Sequence, residues 1–156
     1  MALTYSSSDY DGLQSPATAG AKFEAISGSE LIAIPFRELF LQHKVDRVIC
    51  LALLHRHFDL APKERLVEYR GTSTAWKVDN AADNLASHIG PSNWLLAEDG
   101  TFHPYEFDFL KDADRKLSPI VDPQYNDFIE SFGNLLHQED AAGLFGFISC
   151  APFSVL

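Results

Sequence analysis

The segment VDRVICLALLHRHF, residues 45–58, most constrains the fold, because it is apolar on both faces when placed in a β-strand. Side chains in a strand alternate between two faces. Leu51 and Leu53 then share one face with His55 and His57, and the opposite face is equally apolar over most of its length. This pattern predicts a strand that lies centrally in a sheet and is covered on both sides, with two imidazoles projecting at its end.

The composition and the net charge of the chain indicate how many domains it forms and which partners it does not bind. The chain has 156 residues, of which 46% are hydrophobic and 12% aromatic, enough for one domain with a substantial core. The formal net charge is −10. Such a surface repels phosphate groups, so the sequence predicts neither a nucleic-acid partner nor an anionic membrane partner.

The cysteines and the start of the chain bear on location. Cys50 falls inside the apolar segment and is predicted to be a buried small side chain, and Cys50 and Cys150 lack metal-ligand spacing. Residues 1–22 lack the basic and apolar regions of a signal peptide, and no run of eighteen apolar residues occurs. These features predict a cytoplasmic protein in a reducing compartment.

The remaining elements are read from periodicity and turn residues. Residues 1–22 are predicted to be a flexible arm, with regular structure beginning near Phe23 and a single domain over 23–156. The predicted elements are a helix over 35–44, the strand over 45–58, an antiparallel partner over 65–76, a helix over 80–88, a hairpin over 94–97 and 101–109, a helix over 122–138 and a strand over 144–150. In the second hairpin, Gly100 supplies the turn and Pro104 indicates an edge or a bulge.

The order helix, hairpin, helix, hairpin, helix, strand predicts the α+β class. We expect a mostly antiparallel sheet of about five strands with helices packed on one face. The last six residues, 151–156, are uncharged and apolar. They are expected to dock on the sheet or to enter a dimer interface.

Histidines and carboxylates are the candidate catalytic groups. His55, His57 and His103 are predicted to face one cavity with Glu68 as a carboxylate partner, an arrangement suited to general acid–base chemistry. His103 shares a strand face with Tyr105 and Phe107. An aromatic face carrying one imidazole is typical of a pocket for an apolar molecule.

Two further residues complete the predicted substrate-binding set of Arg56, Trp94, Tyr105 and Phe107. Arg56 lies on the strand face opposite the two histidines, where it pairs with a nearby carboxylate or receives a substrate carboxylate. Trp94 opens the second hairpin and adds aromatic surface to the pocket.

His55 and His57 also have the His-x-His spacing of two metal ligands on one strand. His103, Glu106 or Asp108 of the second hairpin, or Glu68 of the neighbouring strand, would then complete the site. The sequence has no glycine run before this pair, and no GxSxG, GxGxxG, CxxC or HExxH motif occurs. The primary prediction therefore includes neither a metal nor another cofactor.

The segments LLHRHFDLAPKERLVEYRGTSTAWKV and PSNWLLAEDGTFHPYEF resemble small, uncharacterised intracellular proteins of filamentous fungi, some of them found among secondary-metabolite genes. The resemblance covers about residues 45–110. It implies a small, cofactor-free tailoring protein and assigns no catalytic residue.

Three functions follow from these observations. The first is a binder of a small apolar molecule that acts as a cyclase, isomerase or lyase through histidine acid–base groups. The second is a non-catalytic homodimeric interaction module joined through its apolar tail. The third is a metal-binding protein with the His-x-His pair as its site.

Overall fold

The computed structural model describes residues 5–77, 89–109 and 119–150. The helix expected over 80–88 and the apolar tail 151–156 lie outside these residues. The helical elements are α1 (Ser7–Asp11), α2 (Pro16–Ala25), α3 (Gly28–Leu31), a π-helical turn (Ile32–Phe36), α4 (Arg37–Gln42), a 3-10 turn (Pro123–Tyr125) and α5 (Asn126–Gln138). The strands are β1 (Ile49–Leu53), β2 (Glu64–Tyr69), β3 (Thr72–Lys77), β4 (Ile89–Leu96), β5 (Phe102–Phe109) and β6 (Phe145–Ser149).

The strands form one six-stranded sheet in the order β1-β6-β4-β5-β2-β3. Strands β2 and β5 pair in parallel, and the other described pairs are antiparallel. The predicted α+β class is confirmed. The sheet is mixed and has six strands, which corrects the expected antiparallel sheet of about five.

The prediction of a central strand over 45–58 is wrong, because β1 lies at an edge of the sheet and, among the described strands, pairs only with β6. The interior position next to β1 is taken by β6, whose Gly146 packs against the backbone of β4. A Cβ atom on Gly146 would lie 2.2 Å from the carbonyl oxygen of Trp94. Only glycine allows this close approach.

The segment over 65–76 forms two strands joined at Arg70 and Gly71, both with positive φ. It was expected to be one strand antiparallel to the strand over 45–58. Instead β2 pairs with β3 on one side and with β5 on the other. The tight turn at Gly71 makes the hairpin local, so β2 is free to join a strand far away in sequence.

The second hairpin has its predicted place and turn. Gly100 adopts a φ of +80°, which a glycine tolerates without strain. The pairing of β4 with β5 shifts around Asn93, with Trp94 opposite Pro104. The bulge indicated by Pro104 is therefore confirmed, although β5 is an interior strand.

One face of the sheet is covered by the helical layer. Helical structure runs from Gly28 to Gln42, so it begins before the predicted start at residue 35, and the π-helical turn accommodates Pro35. Helix α5 confirms the predicted helix over 122–138. Its preceding turn is capped by Asp122, which accepts a hydrogen bond from the Gln124 amide at 3.1 Å. The aromatic side chains buried between this layer and the sheet are Phe36, Phe40, Trp94, Phe102, Phe128, Phe132, Phe145 and Phe147.

The N-terminal residues pack on the second hairpin. Regular structure begins at Ser7, not near Phe23, because the first 22 residues contain α1 and most of α2. Tyr10 and Leu13 are buried in a second cluster with Leu95 and Tyr105. Helical structure is therefore not confined to one face, since Leu95 alternates along β4 with Trp94 of the first core.

Cys50 and Cys150 form a disulfide that closes a sequence separation of 100 residues. Cys50 is thus half-buried and bonded, which corrects its interpretation as a small buried thiol. Disulfides persist mainly in oxidising compartments. The cytoplasmic prediction treated the cysteines as unpaired, and the disulfide removes that ground. In the described part of the chain, no helix is long and apolar enough to cross a membrane.

Candidate functional site

Both ring nitrogens of His103 have hydrogen-bond partners. Its Nδ1 lies 2.9 Å from Oδ2 of Asp9 in α1, and its Nε2 lies 3.0 Å from Oδ2 of Asp99 in the β4–β5 turn. Nε2 is also 3.1 Å from the Thr101 hydroxyl oxygen. His103 therefore joins the N-terminal segment to the tip of the second hairpin.

The carboxylates on both sides favour the charged imidazolium. Burial alone lowers the pKa of His103, but hydrogen bonds and Coulomb attraction from Asp9 and Asp99 outweigh it, so the pKa of His103 is raised. Hydrogen bonds from Thr101, followed by the contact with His103, lower the pKa of Asp99. Because both ring nitrogens already contact carboxylates, His103 is poorly placed to accept a proton from a ligand.

A cleft of about 800 Å³ opens beside His103, between the second hairpin and α5. Its apolar lining consists of Leu96, Phe102, Ile120, Val121, Ile129 and Gly133. Its polar lining consists of Asp99, Thr101, His103, Glu130, Asn134 and His137. The cleft thus combines an apolar wall with hydrogen-bonding groups, as ligand sites commonly do.

The α5 side of the cleft carries Glu130, Gly133, Asn134 and His137. Their spacing of three, four and seven residues places them on one helix face. Gly133 leaves space, because a Cβ atom there would meet only Phe102 Cε2 at an ordinary 3.6 Å. The candidate site residues predicted from the sequence did not include these four. The polar spacing next to the apolar face of α5 was the signal that could have identified them.

A second cavity of about 700 Å³ shares Leu96, Asp99, His103 and His137 with the first. Residues of α1 and the following loop line it, among them Asp9 and Gln14. The side-chain oxygen of Gln14 is buried and has no hydrogen-bond partner among the described residues. His103 and His137 therefore stand where two cavities meet.

His55 and His57 lie elsewhere. Strand β1 ends at Leu53, so both histidines belong to the following loop, and neither lines a described cavity. Their ring centroids are 4.9 Å apart, and His55 Nδ1 lies 3.1 Å from the Leu53 carbonyl oxygen. The structure therefore brings these two rings together but does not bring them to the cleft of His103.

Arg56 ties this loop to the N-terminal segment. Its Nε donates to the Leu13 carbonyl at 2.7 Å, and its guanidinium pairs with Asp59. The expected carboxylate partner is thus Asp59. These contacts give Arg56 a structural role.

Glu68 belongs to a group of carboxylates on β2 and β5. It accepts a hydrogen bond from the Gly71 amide and lies opposite Asp108 in the parallel pairing. Burial, followed by Coulomb repulsion among these groups, raises the pKa of both Glu106 and Asp108. Asn93 donates to Glu106 Oε2 at 2.8 Å. None of the hydrogen bonds described for Glu68 involves a histidine.

The three predicted aromatic residues are core side chains. Trp94 is 0% exposed and stacks on Phe147 with centroids 5.3 Å apart. Tyr105 is buried in the cluster of Tyr10, and burial raises its pKa. Phe107 packs edge-on against Tyr5 at 5.2 Å. None of the three lines a described cavity.

Within residues 5–77, 89–109 and 119–150, no group of three or more His, Cys, Asp or Glu side chains is arranged to hold a metal ion. His55 and His57 thus lack a third ligand in this part of the structure. Comparison of the chain with protein-family models, curated proteins and solved structures finds no match.

Proposed function

We propose that this protein binds a small, mainly apolar molecule in the cleft between the second hairpin and α5. The observation that carries the proposal is the cleft itself. Its volume of about 800 Å³ lies within the range of ligand sites, and both apolar and polar side chains line it.

The charges of the lining define the ligand further. Asp99 and Glu130 are acidic, and the charge of His103 is already neutralised by two carboxylates. The chain as a whole carries a formal net charge of −10. We therefore expect a neutral or weakly basic molecule with at least one hydrogen-bonding group, and we expect anions to be excluded.

The catalytic form of this proposal is a cofactor-free cyclase, isomerase or lyase. It is supported by the carboxylate of Glu130 and the imidazole of His137, which line one cleft and stand seven residues apart on α5. That spacing corresponds to about 10 Å along the helix, enough to place a small molecule between an acid and a base. In this form, Glu130 and His137 take the roles that the sequence predicts for His55, His57, His103 and Glu68. The fungal tailoring role stays a prediction.

Binding is tested with the neutral fluorescent probe N-phenyl-1-naphthylamine. Gly133→Leu should place an apolar side chain in the cleft and raise the Kd of the probe by about tenfold or more. Because a Cβ atom fits at Gly133 without a clash, the variant should fold. Circular dichroism checks this.

Gly20→Leu in α2 is the matched control, because a Cβ atom at Gly20 meets nothing within 4 Å and Gly20 lies outside the cleft. It should bind the probe as the unmodified protein does. Equal probe affinity for Gly133→Leu and the unmodified protein would show that the probe binds elsewhere and would refute the proposal.

A further inference from the structure

The outer edge of β1 is an open strand edge. Hydrogen bonds from the Cys150 amide to the Val48 carbonyl (2.9 Å) and from the Leu54 amide to the Leu144 carbonyl (2.7 Å) flank the pairing of β1 with β6. In an antiparallel pair, residues whose backbone groups bond to the neighbouring strand alternate with residues whose backbone groups point away from it. The backbone groups of the even-numbered residues of β1 therefore point toward β6. The backbone groups of Ile49, Leu51 and Leu53 therefore point away from the sheet.

Two of these outward groups already have partners. The Ile49 amide donates to the Val45 carbonyl at 2.8 Å, and the Leu53 carbonyl lies 3.1 Å from His55 Nδ1. No hydrogen bond within the described residues involves the remaining outward groups: the Leu51 N–H, the Leu51 carbonyl, the Leu53 N–H and the Ile49 carbonyl.

These four groups are complementary to themselves. If a second β1 pairs antiparallel about a two-fold axis through Leu51, each Leu51 N–H meets the Leu51 carbonyl of the other copy. Each Leu53 N–H then meets an Ile49 carbonyl. The two groups that already have partners would face each other in this register, so none of the unpartnered groups is left over.

An apolar surface adjoins this edge. A groove of about 370 Å³ lies between β1 and the segment from Ile32 to Leu41. Beside it, Ile32, Leu41 and Leu53 are 41%, 45% and 42% exposed. The charged residues that line the groove are Arg37 and Asp46, one of each sign. In two copies related by this axis, the apolar surfaces would lie side by side. Each surface carries one positive and one negative side chain, so the contact would not bring together charges of a single sign.

We propose that a second copy of this chain docks on the β1 edge and joins the two sheets into one. An edge strand usually carries a charge or a proline that prevents such pairing, and Ile49–Leu53 carries neither. This interface is separate from the ligand cleft, which β1 does not line.

Sedimentation velocity tests the proposal on the full chain between about 1 and 200 μM, where a small interface of this kind dissociates. The mass should double with concentration, and Leu53→Lys should raise the dimer Kd by about tenfold or more. Tyr69→Lys is the matched control, because Tyr69 is 43% exposed on β2, four strands from β1. It should dimerise as the unmodified protein does. A monomer at every concentration, or a Leu53→Lys variant that dimerises normally, would overturn the proposal.

Amide hydrogen exchange tests the register without a substitution. The Leu51 and Leu53 amides should exchange more slowly at high than at low protein concentration, while the Cys50 and Ala52 amides should not depend on concentration. A doubled mass with no change at Leu51 would place the dimer interface elsewhere. Protection of Leu51 in the monomer would assign the edge to another segment of the same chain. Either result would overturn the proposal.

Discussion

The contact between Asp9 and His103 offers the sharpest test of the electrostatics, because it fastens α1 to β5 across 94 residues of sequence. We consider the two single substitutions Asp9→Ala and His103→Ala and the double variant. The double-mutant cycle isolates the energy of the pair from the losses that each substitution causes alone.

The expected coupling follows from burial. The His103 side chain is 11% exposed and that of Asp9 is 19% exposed, so water screens the contact weakly. A hydrogen bond between such charged groups contributes about 1.5–3 kcal/mol to the free energy of unfolding. The Asp99 side chain is exposed to solvent, so its contact with His103 should contribute little to the free energy of unfolding.

The pH dependence has a definite sign. Because the pKa of His103 is raised in the folded state, its stabilisation is complete below the unfolded value of about 6.5. It is lost as the pH rises through the folded value. The coupling should therefore be larger at pH 5.5 than at pH 9.5, where the neutral imidazole can still donate a hydrogen bond to the ionised Asp9 carboxylate but no longer attracts it as a cation.

Urea denaturation at both pH values measures the coupling. Asp11→Ala is the control, because Asp11 also belongs to α1 but accepts its hydrogen bond from the Leu60 amide. Its effect should add to that of His103→Ala within about 0.5 kcal/mol. A coupling below about 0.5 kcal/mol at pH 5.5, or one that grows toward pH 9.5, would show that His103 is not a charged link between the two carboxylates.

Two further predictions concern the fold. Gly146→Ala should destabilise the protein by about 3 kcal/mol or prevent folding, because the added Cβ atom would overlap the Trp94 carbonyl. Thermal denaturation tests this, and a midpoint within a few degrees of that of the unmodified protein would contradict the close approach. Replacing both cysteines, as Cys50→Ser with Cys150→Ser, should cost about 2–5 kcal/mol in urea denaturation, because the disulfide closes a long loop. If the double variant has an unchanged urea midpoint and the unmodified protein has two free thiols, the disulfide between Cys50 and Cys150 is contradicted.

The sequence predicted features that depend on residues close together in the chain better than features that depend on residues far apart in the chain. Helix α5, the turn at Gly100 and strand β6 were predicted because apolar spacing, a cap and a glycine are local signals. The position of β1 at the sheet edge was not predicted, because a strand that is apolar on both faces does not reveal which strands lie beside it. The decisive feature was Gly146, whose missing side chain lets β6 approach β4.

The candidate site shows the same division. The sequence predicted that His103 lies on an aromatic strand face and shares one cavity with His55 and His57. Its actual partners, Asp9 and Asp99, lie 94 and 4 residues away. The distant one is in a segment that has no hydrophobic period and was therefore expected to be a flexible arm.

By itself, the sequence determined the α+β class, the amphipathic α5 and the acidic surface, since each follows from residue type and spacing along the chain. Only the tertiary structure decided that β2 joins β5 in parallel, that Cys50 meets Cys150, and that Glu130 and His137 face a cleft. The physical reason is that a pattern states which side of an element is buried. The partner that buries it is selected by packing among residues far apart in the chain.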